Sequence, residues 1–322
     1  FKKNKKNFLM SNILIRCDAS KEIGLGHLVR CLVLANKFRN LGHNVIFAMR
    51  DYKLGIQEVS SYNFKIEIAP KELNYYNWLC FCTNNYDINV FIGDVRDKLP
   101  LKSIITMKRQ SILTIAIDEP SSYAKECDLS FYPPHANVNK LDYKGKVYQG
   151  LEYVILRDEF HEDYKKTKND IPNILVMMGG TDSHHLTLDI VKQLLILRHN
   201  INISVVIKEN HKHYNVVNKI ENNVKVYSSI ENMARFLNNV DFGIISFGVS
   251  AYELLANQIP AIHVCLDEDH QEASKWFTNN NYSNSIFKNQ IKDIDLSLLG
   301  KVFIQKQRIA KSSIISRIFN LV

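Results

Sequence analysis

Three short stretches combine residues that can do chemistry with glycines that let a backbone approach a ligand. The first is Arg16-Cys-Asp18-Ala-Ser20-Lys-Glu-Ile-Gly24-Leu-Gly26-His27-Leu-Val-Arg30. Gly24 and Gly26 permit a tight turn, and the N–H groups of a following helix start would face an anion. His27 falls in the first helical turn. There the positive end of the helix dipole disfavours imidazolium and favours a neutral ring able to act as a base. The same histidine can equally be a structural cap. Arg16 and Arg30 are candidate helpers against phosphate charge and Asp18 a candidate polar contact, although Arg30 on a helix can simply face solvent. Counting on from Gly24, the third glycine of a dinucleotide fingerprint would fall at Val29, so a nicotinamide cofactor is disfavoured.

The second stretch is Met177-Met-Gly179-Gly180-Thr181-Asp182. A Gly-Gly-Thr turn before a helix can hold a phosphate through backbone N–H groups near Gly180 and the Thr181 hydroxyl. It can also be a plain turn in which Asp or Ser caps the helix. The third is Ser246-Phe-Gly248-Val-Ser250-Ala-Tyr252-Glu253. Gly248 and Ser250 can contact phosphate, and Glu253, one turn in, can accept hydrogen bonds from both ribose hydroxyls. Ser250 and Glu253 also have the spacing of a capping box.

Weaker candidates surround these. Asp94 and Asp118 end apolar runs and can point into a site or cap a turn. Asp267, Glu268, Asp269 and His270 form a polar cluster. His184-His185 and His211/His213 lack a third ligand at convincing spacing and read as surface histidines, so no metal and no cofactor is expected. Tyr75, Tyr76 and Trp78 can line a sugar pocket, with core packing expected for at least two of them.

The elements that would position these residues alternate. Apolar runs at Asn12–Cys17, Asn44–Met49, Lys65–Ala69, Val90–Gly93 and Leu113–Asp118 read as parallel strands covered on both faces. Leu28–Leu41 has helical spacing, closed by Gly42. A second series starts at Ile174–Met178 and continues through Ile201–Ile207, Val224–Tyr227, Asp241–Ser246 and Pro260–Cys265, with a helix expected over Leu186–Arg198. After Asp269 the chain reads as helical, interrupted near Asn279–Asn281. Two βα series predict an α/β chain of two Rossmann-like doubly wound domains facing across a cleft. The expected spans are 10–155 and 156–322, and the carboxyl ends of the strands carry the site.

Composition narrows the class. The 322 residues are 46% hydrophobic and 23% charged, ordinary for a globular chain of two domains and unlike a disordered one. No apolar run approaches the roughly 18–20 residues of a membrane span. The net charge is +8, of which Lys2, Lys3, Lys5 and Lys6 supply half. Residues 1–9 read as an extension outside the fold, expected to be disordered, without the apolar region of a signal peptide. The remaining +4 is weak evidence for nucleic acid, suits an anionic small molecule about as well, and reads first as a solvated surface. The six cysteines read as reduced core residues of a cytoplasmic protein.

The run R-x-D-x-S-x-x-I-G-x-G-H-x-x-R-C-L-x-L-A at Arg16–Ala35 resembles the start of the UDP-sugar hydrolases of the pseudaminic acid pathway and of the similar spore-coat polysaccharide protein SpsG. The resemblance continues at Tyr153-Val-Ile-Leu-Arg157-Asp-Glu-Phe160, the Gly-Gly-Thr turn, Tyr252-Glu253-Leu and His270-Gln271, and spans Ile13 to about Phe277. It implies a glycosyltransferase-B-like fold, a sugar-side first domain and a UDP-binding second domain. The implied reaction is inverting hydrolysis of a UDP-linked 2,4-diacetamido-2,4,6-trideoxyhexose. His27 is then the implied catalytic residue, with Glu253, His270 and Gln271 toward ribose and base. The small-molecule UDP-sugar is the expected partner, with no nucleic acid, no membrane insertion and no obligate protein partner. Three motifs depart from the family: Phe247-Gly248-Val249-Ser250 replaces Gly-Gly-Ser-Thr, His270-Gln271 replaces Asn-Gln, and Asp118-Glu119 replaces Asp-Asp. The alternatives are a glycosyltransferase of the same fold, a 2-epimerase of a UDP-amino sugar, and a sugar-nucleotide-binding protein without catalysis.

Overall fold

The computed structural model describes residues 10–20, 24–72, 74–119, 121–134, 138, 142–162, 165–197, 200–298, 309 and 313–320. The chain forms two units, residues 1–155 with 310–322, and residues 156–309.

The first unit is built on β1 (Asn12–Cys17), β2 (Asn44–Met49), β3 (Lys65–Ile68), β4 (Val90–Asp94), β5 (Leu113–Ile117), β6 (Leu129–Tyr132) and β7 (Lys146–Gln149). They form one parallel sheet in the order β3-β2-β1-β4-β5-β6-β7. Successive side chains of a strand face opposite ways. Ile13 and Ile15 therefore pack with Leu28, Cys31, Ala35 and Phe38 of α1 (Gly26–Asn40). Leu14 packs on the other face with Phe91, Trp78 and Ile104. Burial on both faces is why these strands read as unbroken apolar runs. The covering helices are completed by α2 (Lys53–Ser61), α3 (Tyr75–Asn85), α4 (Leu101–Arg109) and α5 (Ser122–Glu126).

The second unit holds β8 (Asn173–Met177), β9 (Asn202–Val206), β10 (Val224–Tyr227), β11 (Phe242–Ser246), β12 (Ala261–Cys265) and β13 (Ser283–Phe287). Its sheet is also parallel, in the order β10-β9-β8-β11-β12-β13. Its helices are α6 (Thr187–Leu197), α7 (Tyr214–Val217), α8 (Met233–Leu237), α9 (Val249–Ala256) and α10 (Glu268–Asn279). Strand β13 corrects the expectation of helix to the end of the chain. Its sequence Ser-Asn-Ser-Ile-Phe is polar because it is the outer strand, paired with β12 alone in the sheet order.

The last helix, α11 (Ile314–Asn320), belongs to the first unit, whereas the sequence reading ran the second domain to residue 322. Ile314 and Ile318, one turn apart, are fully buried in the first unit's core, and the Ser313 N–H donates to the Glu152 carbonyl at 2.8 Å. Ile314→Ala is expected to destabilise the first unit by about 2–5 kcal/mol, the range for a truncated core aliphatic. Thermal unfolding followed by amide exchange checks this, with protection lost in β1 and retained in β8. Residues 1–9 lie outside the described residues. All six cysteines are unpaired, and every one but Cys80 is buried.

Candidate functional site

In the first sheet the strand order reverses between β1 and β4, the place where open α/β sheets bind ligands. The register sets Cys17 beside Asp94 at the carboxyl edge. Asp94 is the centre of the cluster there. Its Oδ1 lies 2.6 Å from His27 Nδ1, and Arg30 grips both of its oxygens, Nε to Oδ2 and Nη2 to Oδ1, each at 2.6 Å. Arg30 Nη1 donates to Asp118 Oδ2 at 2.7 Å. Burial alone would raise the Asp94 carboxyl, but Arg30 and His27 outweigh it and hold the group well below the usual carboxylate range.

The Asp94 oxygen at 2.6 Å can accept a proton held on Nδ1, and Arg30 Nη2 lies 3.0 Å from the same nitrogen; in a neutral ring protonated there, Nε2 keeps its lone pair. The ring is 21% exposed, whereas Asp94 is 1% exposed. In sequence the case for a neutral His27 turns on the helix dipole; the structure adds a buried carboxylate and Arg30, which hold the ring's orientation. The expectation that Arg30 can face solvent is overturned, because it is buried between two carboxylates. Glu119, next to Asp118, is buried, and that burial pushes its carboxyl up to about 7.

Arg16 also corrects its expected role. It is fully buried, and every guanidinium N–H has an acceptor among Tyr75 Oη, the Cys17 and Ala48 carbonyls, Asp18 and Asp97. No donor is left for a phosphate. Asp18 is bound to Arg16 and to the Arg50 N–H, so its charge is already neutralised. Tyr75 closes this network through Asp97, at 2.8 and 2.9 Å, and Trp78 is core. Arg50 was missed by the sequence reading. Its guanidinium is half exposed and lies 3.2 Å from Asp97. Gly24 adopts φ +69°, a conformation that favours glycine, and its N–H donates to the Ser20 carbonyl at 2.9 Å. Gly26 opens α1, whose N-cap residue Leu25 makes no side-chain cap.

The second sheet reverses order between β8 and β11. The turns after these strands are adjacent there, since a Cβ on Gly179 would lie 3.3 Å from Ser246 Oγ. Gly179 has φ +78°, a conformation that favours glycine. Gly180 is exposed and Thr181 half-buried. Asp182 accepts the N–H groups of Leu186 and Thr187 at 2.9 and 3.1 Å, so a carboxylate already occupies the start of α6.

After β11, the cap of α9 is Gly248, and Ser250 is the helix's second residue, so the capping box with Glu253 does not form. Phe247 is buried against His263, Phe277 and His270. Its ring fills an aromatic cluster, which explains how this chain accommodates a bulky residue where the resembled family has glycine. His270 lies in the first turn of α10, its N–H held by the N-cap Asp267 at 2.8 Å, and Gln271 is exposed. Glu253 is buried, with Oε1 accepting from Arg157 Nη2 at 3.0 Å. Burial raises its carboxyl, and Arg157 opposes that shift. Among the described residues no group of histidine, cysteine and acidic side chains is arranged to hold a metal, and no helix is long and apolar enough to cross a membrane.

These two parallel α/β units define the fold class of the glycosyltransferase-B proteins. Acinetobacter baumannii MurG matches with a TM-score of 0.64 at 12% identity, covering 97% of this chain and 99% of that one. Staphylococcus aureus MnaA, solved with UDP, matches with a TM-score of 0.59 at 12% identity, over 94% and 90% of the two chains. Within that class, the homologues of this chain include the UDP-2,4-diacetamido-2,4,6-trideoxy-beta-L-altropyranose hydrolase of Campylobacter jejuni. That enzyme is 22% identical over 84% of this chain and 97% of its own length. They also include the spore coat polysaccharide biosynthesis protein SpsG of Bacillus subtilis, 23% identical over 81% and 78%. The uncharacterized protein MJ1062 of Methanocaldococcus jannaschii is 26% identical over 81% of this chain, which spans 57% of that protein's length. No family model matches.

Proposed function

We propose that this protein hydrolyses a UDP-linked diacetamido-trideoxyhexose to UDP and the free sugar. The observation that carries this reading is the His27–Asp94 pair, which leaves a lone pair on a partly exposed imidazole at the carboxyl edge of the first sheet. Homology to a hydrolase of such a substrate supports the sugar class. In the reaction a water oxygen bonds to the anomeric carbon and its proton passes to His27 Nε2. The bond from that carbon to the β-phosphate oxygen breaks, and its electron pair leaves with UDP. UDP is a competent leaving group, so the protein's work is to position water and stabilise phosphate charge. Arg30 and Asp94 orient the base. The second unit takes the nucleotide, with the turns around Gly180 and Gly248 facing phosphate and Glu253, His270 and Gln271 toward the nucleoside.

The test is acceptor-free turnover. Purified protein with candidate UDP-sugars is expected to release UDP and free sugar, followed by NMR. Release that waits for an added glycan would instead establish a transferase, a reading favoured by the glycosyltransferases among proteins of this fold. Glu253→Ala is expected to weaken UDP binding by about 10–100-fold, or about 1.4–2.8 kcal/mol, measured by calorimetry. Unchanged affinity would remove Glu253 from the nucleotide site.

A further inference from the structure

Four histidines set aside as surface residues sit on two loops, and the structure brings three of them together. His185 follows β8, and His211 and His213 follow β9, the neighbouring strand. Their ring centroids lie 5.0, 5.3 and 5.8 Å apart. The hydrogen bonds within the cluster have a direction. The His213 N–H donates to His211 Nδ1 at 3.2 Å, so that nitrogen keeps its lone pair and the neutral ring carries its proton on Nε2. His211 Nε2 then donates to His185 Nδ1 at 2.9 Å. Both of these acceptor lone pairs are where an added proton would go, and each addition destroys a hydrogen bond.

We infer that the His185–His211 pair is a proton-broken clasp, joining loop 208–213 to the turn 179–186 while the rings are neutral and releasing it when a second proton is taken up. Protonated His185 would aim an N–H at the N–H of His211 across 2.9 Å. The groups that face the pair sharpen this response. His184, His213 and Lys212 repel added charge, and Asp182 attracts it, with Oδ2 at 3.7 Å from His211 Nε2. Asp182 also holds the first N–H groups of α6, so a protonated His211 would compete with them for that carboxylate. The turn that Asp182 ends carries Gly179, next to Ser246 at the order reversal of the second sheet.

The sign follows from the direction of the shifts. Burial, Lys212 and His211 lower His185, and burial, His211 and Lys212 lower His213, from the ordinary value of 6.5. Groups lowered on folding contribute stability that is complete above 6.5 and lost as pH falls through the folded values. The experiment is imidazole nitrogen NMR of the full chain from pH 8 to pH 4.5, with amide exchange at both ends of the range. His185 is expected to take up its proton below the ordinary value of 6.5. Exchange protection in 179–186 and 208–213, corrected for intrinsic rates, is expected to fall about tenfold at the acid end, with β11 unaffected. His211→Gln, and independently His185→Asn, should remove the acid-dependent loss from both loops. A His185 that titrates at or above 6.5 in the unaltered protein, or an acid loss of protection that persists in both variants, would overturn the clasp.

Discussion

Replacing His27 by alanine is expected to lower turnover of the UDP-sugar by ~10²–10⁴, the loss that follows removal of a general base. That corresponds to about 3–5 kcal/mol of transition-state stabilisation. If the second unit takes the nucleotide as proposed, UDP affinity should stay within about twofold, and the loss should fall on kcat rather than KM. His27→Gln sharpens the test. Its amide can still bond to Asp94, yet it offers no basic nitrogen, so turnover should fall as far as in the alanine variant. Steady-state kinetics with calorimetric UDP binding checks both variants. Normal turnover in either would remove His27 from the chemistry.

The second large effect is on stability. Asp94→Ala leaves the Arg30 guanidinium buried without its bidentate partner, retaining only the contact to Asp118 among the ion pairs that hold it. Removing one member of a buried ion pair costs about 3–5 kcal/mol, because a buried charge is left uncompensated. For a chain with domains of this size the thermal midpoint should fall on the order of 10 °C. Adding Arg30→Met removes the stranded charge and should recover part of the loss. The lowered Asp94 carboxyl also fixes a pH dependence. Its contribution is complete above the ordinary value of 3.8 and is lost as pH falls toward the lowered folded value. Urea unfolding across that acid range should show wild type losing stability that Asp94→Ala has already lost. Equal acid slopes in the two proteins would contradict the pairing.

The parts of this molecule legible in its sequence are those where local chemistry and long-range packing agree. The runs at β1, β2, β4, β8, β11 and β12 are apolar because both sheet faces are covered, and a one-dimensional pattern carries that fact. Strands β7 and β13 are half exposed, and polar side chains hide their pairing. Strand β6 is only four residues long and follows a short helix, so periodicity had little to register. Helix α11 is amphipathic enough to expect, but nothing local says which core receives Ile314 and Ile318.

In the candidate site, Gly24, Gly26 and His27 stand out because a glycine turn and a histidine share one helix start. Asp94 stands out as a carboxylate ending an apolar strand. Their meeting depends on the register of β1 against β4, which no local pattern encodes. Arg16, a charged residue inside a strand, looks free in sequence. The structure spends it on Asp97 and Tyr75, 81 and 59 residues away. Arg157 and Glu253, 96 residues apart, belong to two separate stretches of the resembled family, and their ion pair gives a physical reason for both. The histidine clasp was invisible because its members lie on loops after neighbouring strands.

The most direct measurement is the fate of oxygen when the UDP-sugar is turned over in ¹⁸O-labelled water without any acceptor. If water attacks the anomeric carbon, the label appears in the anomeric hydroxyl of the freshly released sugar, and the UDP carries none. His27→Ala should slow that incorporation by the same factor as turnover. Label in the β-phosphate of UDP would mean attack at phosphorus and contradict the account, as would the absence of any release without an acceptor.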